Sequence, residues 1–440
     1  MRIIILGAGD IGVFLAKNLS KDHDIVVIEK NKETFQNIQG TMDVLTLLGD
    51  GDNPHVLDEA GLEDTDVMLA VSGDDKTNIL ASMLSHSKGV EKIIARINNP
   101  EYLNYPQLLN TPFISTVNPV SIFADNITNL IGAPFAVKTE TFGRGKIQML
   151  KIIVDEQSPI VNKKLSELGP PKAWIFVAVS RDGEISIPTG DTMLEPGDCI
   201  FALGKPSDVH SLKDLLGVEE EGVNSVVIVG AGKYGKMVAK KLSKRGISVK
   251  LIEMDSDRAE AAAIELPELS VFRGDGNSAD TLKEAGISST DYLIALTGDD
   301  ENNVLSALLA KSLGAKKSIV LYTKADYINV IESIGVSRAL SVRLATANEI
   351  LSFLHLGGVA HVVLVEEGKA EVLEFVITSG SRILGTPLRD CKFPKGALVG
   401  IVLSGDGVII PRGDYTAVEG DRLIVFALPG AVKDLEKMLG

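Results

Sequence analysis

The sequence is poor in the residues that most directly announce redox chemistry or metal binding. Among 440 residues there are two cysteines, Cys199 and Cys391, in no C-x-x-C pair. That excludes a disulfide framework and predicts two core thiols in a reducing compartment. The six histidines (His23, His55, His86, His210, His355 and His361) are scattered, with no H-x-x-x-H spacing and no neighbouring cysteine. No metal site is expected from them. No apolar run approaches the length of a bilayer span, and "MRIIILGAGD" enters a glycine-rich motif within seven residues, so neither a transmembrane helix nor a signal peptide is expected. Positive charge is also short: the net charge of -15 opposes unspecific attraction to nucleic acid or anionic lipid. Work at a membrane would need a protein partner there, without direct insertion.

What the chain does have is repetition. With 45% hydrophobic and 23% charged residues it reads as an ordinary soluble chain long enough for two to four domains. "IIILGAGDIGVFLAKNLSKDHDIVVIEKN" returns as "VVIVGAGKYGKMVAKKLSKRGISVKLIEMD", and "GDGDNPHVLDEAG" as "GDGNSADTLKEAG". Gly7 to Gly230 is 223 residues, Glu29 to Glu253 is 224, and Asp50 to Asp275 is 225. So steady an offset means a duplicated domain. A smaller unit is duplicated too, with Pro188, Gly190 and Gly197 each 223 residues before Pro411, Gly413 and Gly420.

The predicted order is N1 (1–134), C1 (135–221), N2 (222–357) and C2 (358–440), with the acidic "GVEEEGVN" as linker. The N units alternate short β-branched runs (in N1, Ile3–Leu6, Ile25–Ile28, Val44–Leu47, Val67–Val71 and Ile93–Ile97) with amphipathic stretches. That pattern predicts an α/β fold, a doubly wound parallel sheet covered on both faces. The C units, with short strands broken by Asp-Gly and Pro-Gly turns and a short helix at each end, predict small α+β domains. "VNPVSIFADNITNLIG" and "VRLATANEILSFLHLGG" are expected as helices joining each N unit to its C unit.

"GAGDIG" (Gly7, Ala8, Gly9, Asp10, Ile11, Gly12) and "GAGKYG" (Gly230, Ala231, Gly232, Lys233, Tyr234, Gly235) fit G-x-G-x-x-G after a strand and before a helix. The three glycines serve a tight turn, close approach of backbone to a pyrophosphate, and helix–strand packing, while the helix N-terminus offers N–H groups to the anion. A lone match also marks any tight strand-to-helix turn. Here Glu29 lies 22 residues after Gly7 and Glu253 lies 23 after Gly230, the spacing of the acid that receives ribose hydroxyls. Such a carboxylate repels a 2′-phosphate, favouring NAD or ATP over NADP, although Lys30 beside Glu29 opposes that exclusion.

"GDGDNPH" suggests a calcium loop at Asp50 and Asp52, but Pro54 and His55 occupy positions that need a ligand and a glycine. Asp50 and Asp275 instead follow third strands, where they either line an adenosine pocket or stabilise their own turns. Asn53 is an expected N-cap with Pro54 in the first turn. Ser72–Gly73 and Thr297–Gly298 end the fourth strands beside the same cleft; Asp74 and Asp75 read as charges opening the next helix. Arg96 ends the fifth strand, to contact phosphate or to form a surface salt bridge. Its counterpart in N2 is Leu321 (96 + 225), and Lys233 offers positive charge in that repeat.

On these motifs, with the "SGDD"/"TGDD" strand ends and the paired small units carrying "LEPGD" and "VEGD", the whole chain resembles the RCK/KTN (regulator of potassium conductance) family in tandem form. The resemblance implies Rossmann-like N domains binding NAD(H) or ATP/ADP as regulatory ligands, and a homo-oligomeric ring of such domains. It also implies a membrane-embedded potassium transporter subunit as partner, reached from the cytoplasm. The implied contacts are Gly7 to Ile11, Glu29, Asp50, Ser72, Gly73 and Arg96 in N1. In N2 they are Gly230 to Tyr234, Glu253, Asp275, Thr297 and Gly298, where Leu321 departs from the pattern and points to ATP or ADP, or to weak binding. The alternatives are an NAD-dependent dehydrogenase and a regulator of another cation channel or antiporter. Hydride transfer needs a general acid or base near the nicotinamide, and the C units show no His, Lys–Tyr or Cys constellation for it. A non-enzymatic role is expected, with His210 and His361 as surface or interface residues.

Overall fold

Apolar runs too short for helices become the buried strands of two parallel sheets. The computed structural model describes all residues except 22, 106–112, 134, 137, 144, 219–221, 325–326, 355–358, 367–368, 406 and 440. Its first sheet contains β1 (Arg2–Leu6), β2 (Asp24–Glu29), β3 (Leu45–Leu48), β4 (Val67–Ala70), β5 (Lys92–Arg96) and β6 (Ile114–Val117). Helices α1 (Asp10–Leu19), α2 (Lys32–Ile38), α3 (Pro54–Glu59) and α4 (Asp75–Ser87) connect the first five strands, and α5 (Pro119–Gly132) follows β6. The strands run parallel in the order β3-β2-β1-β4-β5-β6. That order reverses between β1 and β4, so the crevice beyond their carboxyl ends is where such sheets take ligands. Strand β6 was not expected: its four residues, Ile114 to Val117, mix polar and apolar at the sheet edge.

The first small domain has β7 (Lys138–Phe142), β8 (Ile147–Ile153), β9 (Trp174–Arg181), β10 (Glu184–Ser186), β11 (Cys199–Gly204) and helix α6 (Val209–Leu216). Its antiparallel sheet runs β10-β9-β11-β8-β7. The helix expected before the strands is a single 3-10 turn, Leu165–Leu168, stopped by Gly169 at φ 80°.

The second parallel sheet repeats the first with β12 (Ser225–Val229), β13 (Ser248–Glu253), β14 (Ser270–Arg273), β15 (Tyr292–Ala295), β16 (Lys317–Leu321) and β17 (Arg338–Leu340). Its helices are α7 (Lys233–Lys244), α8 (Ser256–Glu265), α9 (Ala279–Glu284), α10 (Asp300–Ser312), α11 (Ile328–Ser333) and α12 (Val342–Leu354). The second small domain has β18 (Val359–Val365), β19 (Ala370–Val376), β20 (Ala397–Ser404), β21 (Gly407–Ile409), β22 (Arg422–Ala427) and α13 (Pro429–Leu439). Its antiparallel order, β18-β19-β22-β20-β21, is the same topology as that of the first.

Like associates with like. Residues 1–128 and 223–351 form one compact unit, and 129–222 with 352–440 a second. In the first, α5 meets α7: Lys241 pairs with Asp125 at 2.5 Å, Arg245 donates to the Thr128 carbonyl at 2.6 Å, and Phe123 meets the Tyr234 ring edge-on at 5.4 Å. In the second, Phe142, Ile147, Phe201 and Leu203 of the first antiparallel sheet share one core with Val372, Ile401, Ile424 and Phe426 of the second antiparallel sheet. His361 lies against Phe142, ring centroids 5.2 Å apart. Cys199 and Cys391, expected in cores, are only partly buried, and burial pushes the Cys199 thiol up to about 11. No helix among the described residues is long and apolar enough to cross a membrane. The three expected domain boundaries (134, 221 and 357), the centre of the acidic linker (219–221) and His355 lie outside the described residues.

Candidate functional site

Each glycine of the first loop has a different physical reason. Gly7 sits at φ +97°, and a Cβ there would come within 2.6 Å of the Ser72 Cα. A Cβ on Gly12 would lie 1.9 Å from the Gly7 carbonyl oxygen, inside any contact distance. Gly9 is the opposite case: nothing lies within 4 Å of the Cβ it lacks. Its open side faces the start of α1, where no side chain caps the helix and the first-turn N–H groups have no intrahelical acceptor. The second loop repeats this in detail: Gly230 at φ +103°, Gly235 1.8 Å from the Gly230 carbonyl oxygen, and Gly232 open.

The acids at the ends of β2 and β13 lock these loops in place. Glu29 Oε2 accepts the Ala8 N–H at 2.7 Å and Oε1 accepts the Asn31 N–H at 2.7 Å. Glu253 accepts Ala231 N–H at 2.7 Å and Asp255 N–H at 3.0 Å. A carboxylate has about four acceptor positions, so each acid keeps lone pairs to offer a hydroxyl donor after fixing its loop.

Cavities of about 400 Å³ and 380 Å³ lie beyond these strand ends. The first is walled by Gly7, Gly9, Glu29, Asp50, Ser72 and Gly73, and the second by Gly230, Gly232, Glu253, Asp275, Thr297 and Gly298. Asp275 Oδ1 accepts the Asn277 N–H at 2.8 Å and so also holds its own turn. Asn53 caps α3, accepting the His55 N–H at 3.0 Å with Pro54 in the first turn. Asp74 caps α4 and is held below the usual carboxylate range by the Thr77 hydroxyl. An uncrowded glycine, free helix N–H groups and a pre-positioned acid in one cleft fit the ADP half of a dinucleotide, or an adenine nucleotide, at both loops.

Family models agree with the duplication. The TrkA-N domain matches residues 3–115 and 226–342, and the TrkA-C domain matches 149–217 and 372–440. The chain belongs to the TrkA family. It is 36% identical over 440 residues to a Trk system potassium uptake protein TrkA homolog of Archaeoglobus fulgidus, covering 100% of both chains. To the Trk system potassium uptake protein TrkA of Haemophilus influenzae it is 34% identical, over 97% of this chain and 95% of that one. Among solved structures the GsuK RCK domain superposes with a TM-score of 0.62 at 19% identity, over 100% of this chain and 94% of that chain. The GsuK channel bound to NAD gives 0.64 at 18%, over 100% and 78%. Both likenesses establish the fold.

In this TrkA-family chain several expected residues stand off the cavity walls. Ala8, Ile11, Gly12, Ala231 and Gly235 contribute backbone and packing. Arg96 lies beside Asp10 and Asp75, with Nη2 donating to Asn98 Oδ1 at 3.2 Å. Its Nε is buried with no hydrogen-bond partner among the described residues. Burial holds the guanidinium below its ordinary range, against the pull of Tyr234, Asp75 and Asp10. Those neighbours show where Lys233 and Tyr234 go. Neither side chain lines the second cavity; both lie close to Arg96 of the first repeat, and Lys233 Nζ sits 5.1 Å from the centre of the Tyr234 ring.

Sequence reasoning missed two fully buried asparagines. Asn78 Oδ1 accepts from the Ser72 hydroxyl at 2.7 Å and backbone N–H at 3.0 Å, and its amide donates to the Arg96 carbonyl at 2.8 Å. Asn303 does the same between Thr297 and Leu321. Each ties the ends of the fourth and fifth strands together. The signal was present: "SGDDKTN" and "TGDDENN" both carry the asparagine six residues after Ser72 or Thr297.

Proposed function

We propose that this chain is the regulatory subunit of a Trk-type potassium transporter, binding NAD(H) or ATP/ADP in its Rossmann domains and gating potassium movement by a membrane-embedded, TrkH-like partner. The observation that carries it is the doubled cleft: open Gly9 and Gly232, each beside an acid clamped by the loop it serves, in a tandem TrkA-N/TrkA-C chain whose full-length relatives are named for potassium uptake. The chain works as a homo-oligomeric ring of RCK domains on the cytoplasmic face, held there through its partner.

N1 is assigned NAD(H), with Arg96 and Lys233 standing near its glycine loop to meet the pyrophosphate. N2, with Leu321 in the arginine position, depends on backbone N–H groups and is assigned ATP or ADP. Binding rather than hydride transfer is the role, since the pair of clefts serves sensing. A ligand that prefers one arrangement of the domains shifts the population by about 1.4 kcal/mol for each tenfold difference in affinity.

The test is co-purification of the tagged chain from detergent-solubilised membranes of its host, with partners identified by mass. A polytopic potassium transporter in stoichiometric amount, whose retention or flux responds to NADH or ATP, is the expected result. Recovery with a cation antiporter instead would reassign the partner. Recovery of the chain alone, with no response, would sink the stable-complex reading.

A further inference from the structure

The two clefts differ most at the end away from the phosphates. Beyond Glu253 the second cavity is walled by Asn277, Asn302 and Ser306, which form one hydrogen-bonded chain. The Ser306 hydroxyl, 1% exposed, donates to Asn277 Oδ1 at 2.7 Å, and Asn277 Nδ2 donates to Asn302 Oδ1 at 2.9 Å. Backbone bonds fix both asparagines further: Asn277 N–H to Asp275 Oδ1 at 2.8 Å and Asn302 N–H to Asp299 Oδ1 at 2.8 Å. In N1 the same positions, 225 residues earlier, hold Asp52, Thr77 and Ala81. The Thr77 hydroxyl is spent on its own helix cap, 2.8 Å from Asp74 Oδ2, and Ala81 has no polar group to offer.

We propose that Asn277 and Asn302, buttressed by Ser306, read the adenine ring in N2, and that N1 has no equivalent pair of linked amides. The inference rests on the nucleotide-binding reading above. Strand order places the loop after β14 next to Glu253 at the end of β13. A ribose held by Glu253 therefore directs its base toward Asn277 and the start of α10. After the internal bonds each amide still has a donor and an acceptor position to give. An asparagine amide matches the 6-amino group and adjacent ring nitrogen of adenine by two hydrogen bonds. Hypoxanthine places a carbonyl oxygen at position 6, so one of those bonds becomes a clash of acceptors. Ser306 supplies no contact with the base; it positions the Asn277 amide.

The probes are ADP and IDP, whose bases differ in the group at position 6 and in the hydrogen on the adjacent ring nitrogen, titrated calorimetrically into the full chain. Gly9→Asp closes N1 and isolates N2; Gly232→Asp isolates N1. Gly9→Asp is expected to bind ADP roughly 5- to 100-fold more tightly than IDP, and Gly232→Asp to show a clearly smaller preference. Adding Asn277→Ala, Asn302→Ala and Ser306→Ala to Gly9→Asp removes both amides and their support without supplying a new acceptor for the 6-amino group. It should sharply reduce the preference while keeping the affinity for IDP, with the melting temperature nearly unchanged. Equal binding of ADP and IDP by Gly9→Asp overturns base reading but leaves nucleotide binding standing. A preference that survives the triple change overturns these residues as its source. Binding by Gly232→Asp and none by Gly9→Asp removes N2 as a nucleotide site, and the inference with it. If the unmodified chain binds neither probe nor NADH, the proposed function falls as well.

Discussion

In N1 an arginine stands behind the glycine loop and a lysine follows Glu29; in N2 the same two places hold Leu321 and Met254. The reverse holds at the base end, where N1 offers Asp52 and Thr77 and N2 offers two linked amides. One duplicated fold has thus kept its loop and acid while moving its side-chain chemistry to opposite ends of the cleft. The loop itself leaves little freedom to diverge, because Gly12 and Gly235 would each drive a Cβ into a backbone carbonyl. The rim residues carry no such constraint, and that is where the copies differ.

The strongest way to break the comparison is to close one cleft at a time. Gly9→Asp and Gly232→Asp each place a carboxylate where nothing crowds it, against the phosphates of any bound nucleotide. Like charges in contact cost several kcal/mol, so affinity at that site should fall by about 100-fold or more. Calorimetric stoichiometry should drop by one site in either variant, with the melting temperature held. Unchanged stoichiometry in one of them would remove that cleft from the assignment.

Next in size come the acids. Glu29→Ala strips the acceptor from the Ala8 and Asn31 N–H groups as well as from ribose. Losing hydrogen bonds to a charged group should cost about 2 kcal/mol of stability, read as a lower melting temperature. NAD should weaken more than NADP, because the repulsion of a 2′-phosphate is relieved at the same time. Glu253→Ala should cost similar stability in N2, where Met254 replaces Lys30, and weaken ADP there. If NAD and NADP weaken equally in Glu29→Ala, that acid holds the loop and does not read the sugar.

Loop, acid and the alternation of strands with helices were legible in the sequence because each is a local pattern and each occurs twice. The sixth strands were not, since β6 and β17 sit at sheet edges and carry only partial burial. Asn78 and Asn303 hid as ordinary polar residues within helices; their role depends on a strand end 18 residues further on. Lys233 illustrates the hardest case. Its place in the second glycine loop suggested service to the second cleft, and only the packing of α7 against α5 turns it toward Arg96. A contact between repeats leaves no trace in the spacing within either one.

That contact makes a directional prediction of about tenfold. Arg96→Leu copies the N2 residue into N1, and Lys233→Ala removes a charge that N2 contributes. Both should weaken nucleotide at N1 by about one decade and leave N2 within twofold, as read by titration in the Gly232→Asp and Gly9→Asp backgrounds. Burial and Arg96 hold Lys233 below the ordinary lysine range. It therefore loses its proton at lower pH than a free lysine, and affinity at N1 should decline with rising pH before that at N2 does. Equal pH profiles for the two clefts would place Lys233 outside the first.

The smallest effect concerns how each loop after the third strand enters its helix. In N1 the cap is Asn53, 3.0 Å from the His55 N–H; in N2 it is Ser278, whose hydroxyl lies 3.5 Å from the Thr281 N–H. Losing a well-formed cap costs about 1 kcal/mol and a long one only a few tenths. Asn53→Ala should therefore lower the melting temperature measurably, whereas Ser278→Ala should not. The difference matters beyond stability, because N2 places its asparagine one position earlier than N1 does. Asn53 is consumed at the helix start, while Asn277 is held by Asp275 and Ser306 with its amide in the cavity wall. A one-residue shift of asparagine in "GDGDNP" against "GDGNSA" thus separates a capping residue from one available to a ligand.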